Sequence, residues 1–157
     1  MTTTVVDGRC AEPIRQFVDD AGVDLALLLQ PSGQVMAQHG FARAMDVMTA
    51  CALAAGIYAT GTELGKLVDD QPFRTLHHAG RTRQIFIGEA RSARAAYIFV
   101  TVFGGDSSLG LVRMYFEELA AALASAASSD GPATAPALAE HFERDLNKNL
   151  AALFGRA

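Results

Sequence analysis

MDVMTACALAAGIYATGTELGKLV, residues 45–68, decides the fold. Sixteen consecutive positions, 47–62, carry no charge, and only Gly56 and Gly61 among them oppose a helix. Ala and Leu favour helix strongly, so the stretch reads as one long helix. At sixteen positions and rich in hydroxyls, it falls short of the roughly 20 apolar residues of a membrane span, and no membrane insertion is expected. A step of about 100° per residue sorts its positions into two faces. Ala50, Leu53, Ala54, Ile57, Leu64 and Val68 make one face, large enough to cover a sheet. Met45, Met48, Ala52, Ala55, Gly56, Ala59 and Glu63 make the other, which is small apart from the methionines. A helix apolar all round is buried all round. One domain of this size does not readily supply both walls, so the small face is expected to meet a second protein chain.

Outward from that helix the chain reads as α-β-β-α-β-β-β-α. A first helix is expected from about Pro13, with Ile14, Phe17, Val18 and Ala21 at i, i+3, i+4 and i+7, stopping at Gly22. Strands follow at 23–30 and 34–39 around the turn Pro31-Ser32-Gly33. After the long helix come strands at 73–79 and 82–89 about a Gly80-Arg81 hairpin tip, then 94–103, the most β-prone run and the expected central strand. Ser107 or Ser108 is placed to cap the next helix, which carries Val112, Phe116, Leu119 and Leu123 on one stripe. The expected class is α+β: a single five-stranded, mainly antiparallel sheet flanked by helices. Residues 1–11 read as a flexible tail, 12–128 as the domain and 129–136 (SDGPATAP) as a linker. Residues 137–157 read as a tethered amphipathic helix with the stripe Leu138, Phe142, Leu146, Leu150, Leu153 and Phe154. Such a helix is expected to dock on its own domain, a sister subunit or a partner.

Composition narrows the function. Half of the residues are apolar and 19% are charged, an ordinary globular balance. A net charge of −4 argues against binding nucleic acid, which rests on basic patches. Two cysteines, Cys10 and Cys51, make no disulfide framework and fit a reducing cytoplasm, and no export signal opens the chain.

Motifs for chemistry are absent or malformed. Gly61-Thr62-Glu63-Leu64-Gly65-Lys66-Leu67 has three residues between its glycines where a phosphate loop needs four, and Leu67 where it needs Ser or Thr. Gly104 to Gly110 joins strand to helix, but no Lys follows, and it reads as a turn with a helix cap. His77 and His78 are neighbours on a strand and point to opposite faces; His39 and His141 add no ligand spacing. Asp19-Asp20, Asp69-Asp70 and Glu117-Glu118 read as solvated positions, and Cys51 as a buried thiol. No catalytic residue, cofactor or metal ligand is expected, and the protein reads as one without an active site of its own.

Several phrases together resemble the Roadblock (dynein light-chain) family. They are Leu25-Ala26-Leu27-Leu28-Leu29 before Pro31-Ser32-Gly33, the Ala-rich helix from 45, Phe73-Arg74-Thr75-Leu76, the Gly80-Arg81 tip, the run ending Val102-Phe103, and Ser108-Leu109-Gly110-Leu111-Val112-Arg113. The likeness covers about residues 12–128. It departs at Gly104, where the family often has an acidic residue; Asp106 stands two positions later. The C-terminal segment is similar to that of a narrower bacterial group, the MglB-type proteins. That resemblance implies a Roadblock/longin-like homodimer in which two sheets join and two long helices lie side by side. It implies that the helix pair binds one small Ras-like GTPase of the MglA type, two chains per GTPase, and activates its hydrolysis in cell polarity or motility. It further implies that the C-terminal helix contacts the GTPase from the side and favours exchange, with no catalytic arginine donated. On this reading Met45, Met48, Ala52, Ala55, Gly56, Ala59 and Glu63 form the platform, and Leu138, Phe142, Leu146, Leu150 and Phe154 a second contact. A cytoplasmic location, with concentration at a cell pole, goes with it. The alternative expectation is an adaptor that holds a GTPase or polarity complex without changing turnover.

Overall fold

The computed structural model describes residues 4–5, 8–40, 46–92 and 95–126. Its elements are β1 (Thr4–Val5), α1 (Gly8–Ala21), β2 (Leu25–Leu29), β3 (Val35–Gly40), α2 (Val47–Asp69), β4 (Thr75–Ala79), β5 (Gln84–Arg91), β6 (Ala96–Phe103) and α3 (Leu109–Ala126). The sheet runs β1-β3-β2-β6-β5-β4, and every neighbouring pair is antiparallel. The five expected strands form its body, and β6 lies in the middle of it as its β-branched and aromatic run requires. Two-residue β1 adds an edge beside β3.

β2 is buried along its whole length because both faces of the sheet are covered. Leu25, Leu27 and Leu29 point to α2 with Ile87, Ile98 and Val100. Ala26 and Leu28 point to α1 and α3 with Phe86, Phe99 and Phe103. The second layer is the richer one: Phe17 meets Phe99 edge-on at 4.7 Å, and Phe116 lies 5.2 Å from Phe86 and 5.3 Å from Phe99. Room for Phe116 comes from Gly88, where a Cβ would stand 2.5 Å from the ring.

The structure departs from the sequence reading at three places. α1 begins at Gly8 rather than Pro13, and Thr4–Val5 is strand, so structure extends into the expected 1–11 tail. Pro13 removes one bond of the helix ladder, but Cys10 joins Ile14, Phe17, Val18 and Ala21 on the buried stripe and draws the first turn in. The β4–β5 tip is longer than Gly80-Arg81: four residues, 80–83, link the strands, closed by Gly80 N–H donating to Arg83 O at 2.8 Å. The third departure concerns the orientation of α2. The expected linker 129–136 and helix 137–157 lie outside the described residues.

α2 starts where Asp46 accepts from Met48 N–H at 3.1 Å, Thr49 N–H at 3.3 Å and Thr49 Oγ1–H at 2.6 Å. Its sheet-facing side is Cys51, Ala54, Tyr58, Gly61 and Gly65, spaced three, four, three and four. The expected sheet face was a different one. Of Ala50, Leu53, Ala54, Ile57, Leu64 and Val68, only Ala54 is buried, and Leu53, Ile57, Leu64 and Val68 are exposed. The reason is steric. A Cβ on Gly65 would collide with Phe73 N, and one on Gly61 would lie 2.6 Å from Leu76 Cδ1. The backbones approach too closely on that side for a Leu or Ile. We expect Gly65→Ala to destabilise the protein by about 1–3 kcal/mol, because the new methyl meets main chain that cannot give way. Gly110→Ala, in the first turn of α3 with only Ser108 Oγ within 4 Å, should be neutral or stabilising by up to about 1 kcal/mol. Urea unfolding of the two variants gives the comparison.

Candidate functional site: the outer surface of α2

With its small side on the sheet, α2 turns most of its bulk outward. Met48 is 75% exposed, Leu53 62%, Leu64 50% and Leu67 83%. Soluble chains do not usually leave so much contiguous apolar surface in water unless something covers it.

The exposed surface has two parts. The first is a flank of Leu53, Ile57 and Leu64, facing β4 across an apolar groove of about 550 Å³ that Leu76 and His78 close. β4 is the outer strand of the sheet, so its far edge has no neighbour among the described residues. That strand edge and an apolar helix flank thus lie side by side. The second part runs over the crest and opposite flank: Met48, Ala52, Gly56, Ala59 and Glu63, all exposed. A Cβ at Gly56 would have nothing within 4 Å. Here a flat, small-residue surface lets another backbone come close, and Met48 adds adaptable apolar contact.

The sequence-predicted platform residues are therefore partly brought together. Ala55 is the exception: it is half-buried and packs on the inner cluster, and Gly33 of the β2–β3 turn leans toward it. Met45, Leu138, Phe142, Leu146, Leu150 and Phe154 lie outside the described residues. The groove of Leu53, Ile57, Leu64, Leu76 and His78 was missed by sequence reasoning. The signal for it was the three-four spacing of Cys51, Ala54, Tyr58, Gly61 and Gly65, which marks the side of close approach.

By length and composition α2 is a helix able to cross a membrane, its best 18 residues having a mean hydropathy of 1.2. Its surroundings differ from that. One side is locked on the sheet, and the outer side carries the Glu63–Lys66 ion pair, 2.7 Å long, which lipid would not solvate.

Beneath α2 one polar contact crosses from helix to sheet. Tyr58 O–H donates to Glu89 on β5, and Arg91 donates to the same carboxylate. The Glu89 side chain is only 18% exposed. Burial, and then the bond to Glu89, push the Tyr58 phenol up to about 12. Burial opposes ionisation of Glu89, but the hydrogen bonds from Arg91 and Tyr58 outweigh it and hold the carboxyl below its usual range. Burial raises the Cys51 thiol, which leaves it protonated and unreactive at neutral pH. His77 turns the other way from His78, meeting Gln84 Oε1 at 2.7 Å and stacking on Phe103. Asp19, Asp20, Asp69, Asp70, Glu117 and Glu118 are all exposed. Among the described residues no three His, Cys, Asp or Glu side chains gather as a metal-ligand set. Such a surface can bind; among the described residues no reacting group converges on it.

Known structures give the arrangement a context. No protein-family model matches the sequence, and no curated protein does. Solved structures match well. MglB of Myxococcus xanthus superposes with a TM-score of 0.70 at 22% identity, over 80% of this chain and 99% of that one. An MglB described as having a tetrameric arrangement gives 0.69 at 25%, over 79% and 94%. The gliding protein MglB from Thermus thermophilus gives 0.69 at 26%, over 80% and 96%. The fold is that of the Roadblock proteins, and within it this chain resembles MglB.

The Tyr58–Glu89 contact generates a pH prediction. Because Glu89 holds its charge more readily folded than unfolded, its contribution is present above the unfolded value, about 4.3, and is lost as pH falls through the lower folded value. Glu89→Gln should therefore flatten the loss of stability below about pH 5. Tyr58→Phe should cost about 1–2 kcal/mol at pH 7 by leaving the carboxylate one donor short. Chemical unfolding at about pH 4, 5 and 7 measures both.

Proposed function

We propose that this chain, a Roadblock-fold protein resembling MglB, is a homodimeric regulator that binds a small Ras-like GTPase of the MglA type and stimulates its hydrolysis of GTP. Its setting is cell polarity or motility, in the cytoplasm and concentrated at a cell pole. The observation that carries the reading is the division of the outer surface of α2. The Leu53–Ile57–Leu64 flank and the outer edge of β4 lie on one side, where a two-fold-related copy extends the sheet and covers the groove. The small crest of Ala52, Gly56 and Ala59 is left outward on both copies, and together they make one platform.

Regulation through such a surface needs no catalytic residue from this chain. GTP hydrolysis depends on positioning and on charge stabilisation by groups the GTPase already has. A platform that binds the active arrangement of the switch segments more tightly than the resting one shifts the population toward it. The arginines near these surfaces have other engagements: Arg91 is held by Glu89, Arg83 by Asp24, and Arg15 by Glu12 and Asp19.

Two substitutions separate the parts of this reading. Ile57→Asp with Leu64→Asp should yield folded monomers of 16.6 kDa in sedimentation equilibrium at micromolar concentration, with stimulation lost. Ala59→Arg should leave the dimer intact and abolish GTPase binding, since a long cation on a close contact must be desolvated or hold the partner off. GTP turnover by the cognate GTPase is the readout. Tight binding of the GTP-loaded form with no acceleration would replace regulation by the adaptor role. Normal stimulation by Ala59→Arg would move the contact off α2.

A further inference from the structure

The face of the sheet opposite α2 carries a second unfilled apolar surface. α1 and α3 pack side by side there, and between them runs a furrow of about 230 Å³ floored by Phe17 and Leu119, with Pro13, Tyr115 and Ala122 on its walls. Next to it the outer face of α3 exposes Leu111 and Met114 at one end and the small residues Ala121 and Ser125 at the other, with Glu118 between them on the furrow's rim. α3 ends at Ala126, one residue beyond that line.

We propose that residues 137–157 fold back as a helix along this face of α3 and its furrow, within the same chain. Length is the first argument. At 1.5 Å per residue the stripe from Leu138 to Phe154 spans about 24 Å, and the exposed line from Ser125 back to Leu111 spans about 21 Å. Connection is the second. Ten residues, 127–136, separate the two and contain Gly131, Pro132 and Pro136, so a hairpin needs no strained loop. A tether this short also holds the stripe at an effective concentration on the order of millimolar beside its site.

Shape is the third. A hairpin folded about the middle of the linker sets Phe142 over Ala121, a large side chain on a small one. The same register sets Leu150 over Met114. The docked segment lies on the side of the sheet away from α2, so the α2 surface stays free. A partner seated on α2 meets the stripe only after the segment is released. The proposal is independent of what binds α2.

The chain contains no tryptophan, so Leu150→Trp installs a single reporter, with Phe154→Trp as a second in case the first perturbs folding. In the full chain its emission should be blue-shifted and its quenching by acrylamide at least threefold weaker than that of a free indole. Leu111→Asp with Met114→Asp on the exposed face of α3 should restore full quenching while far-ultraviolet circular dichroism of the domain is retained. Protection should be the same at nanomolar and at micromolar protein. Free-indole quenching of both reporters in the full chain without the α3 substitutions would overturn the proposal. Protection that vanishes on dilution, or that is removed by Ile57→Asp and not by the α3 substitutions, would also overturn it by moving the segment to a sister subunit or to α2.

Discussion

α2 lies on the sheet through a thiol, a methyl and two bare α-carbons, with Tyr58 the one large side chain in the row. This close approach constrains the rest of the molecule. The main chain at Phe73 and the side chain of Leu76 stand where a Cβ on Gly65 or Gly61 would go. Once the narrow side is turned inward, the helix has no choice about the wide one. Leu53, Ile57 and Leu64 project sideways over β4, and Ala52, Gly56 and Ala59 form the crest. A helix with larger inner residues would ride higher and close off the groove that now opens beside β4. Packing inside the domain therefore determines what the domain shows to other proteins.

The two faces of the sheet solve burial differently. On the α1–α3 side, Phe17, Phe86, Phe99, Phe103 and Phe116 build a core that one chain completes. On the α2 side the inner cluster is mostly aliphatic and small, and much apolar surface remains in solvent. At about 25 cal/mol per Å² of apolar area removed from water, covering that surface is the largest gain in stability still open to the described chain. Binding between copies, rather than more internal packing, is the available route. The Tyr58–Glu89 contact supports this arrangement by tying the underside of α2 to β5 with a directional bond where the apolar contacts are thin.

The sheet was legible in the sequence because its strands carry short, dense β-branched and aromatic runs bounded by Gly and Pro. Residues 96–103 could hardly be anything else. The caps were legible for the same local reason: Asp46 bonds Met48 and Thr49 N–H, and Ser108 Oγ accepts from Leu111 N–H. The orientation of α2 was not. Periodicity alone says that larger apolar residues face a sheet, and here close backbone approach reverses that rule. Gly56 and Gly61 were both counted against helix, yet they do different things. Gly61 is a contact that excludes a side chain, and Gly56 stands open on the crest. Their difference depends on β4, which is distant in sequence, so no local window holds it. The start of α1 was misplaced for a similar reason: Pro13 is a strong local signal, and the burial of Cys10 that overrides it is tertiary.

The central claim is that two chains join beside β4 and offer one composite α2 surface to one GTPase. Symmetry makes this testable by stoichiometry, because a two-fold axis between paired helices leaves room for a single partner across it. The most direct measurement is the mass of the purified complex with the GTP-loaded partner, by sedimentation or light scattering with both proteins in turn in excess. Two chains of this protein per GTPase, unchanged by either excess, is the predicted result. One chain per GTPase, whether as a 1:1 pair or as a dimer carrying two partners, would contradict it.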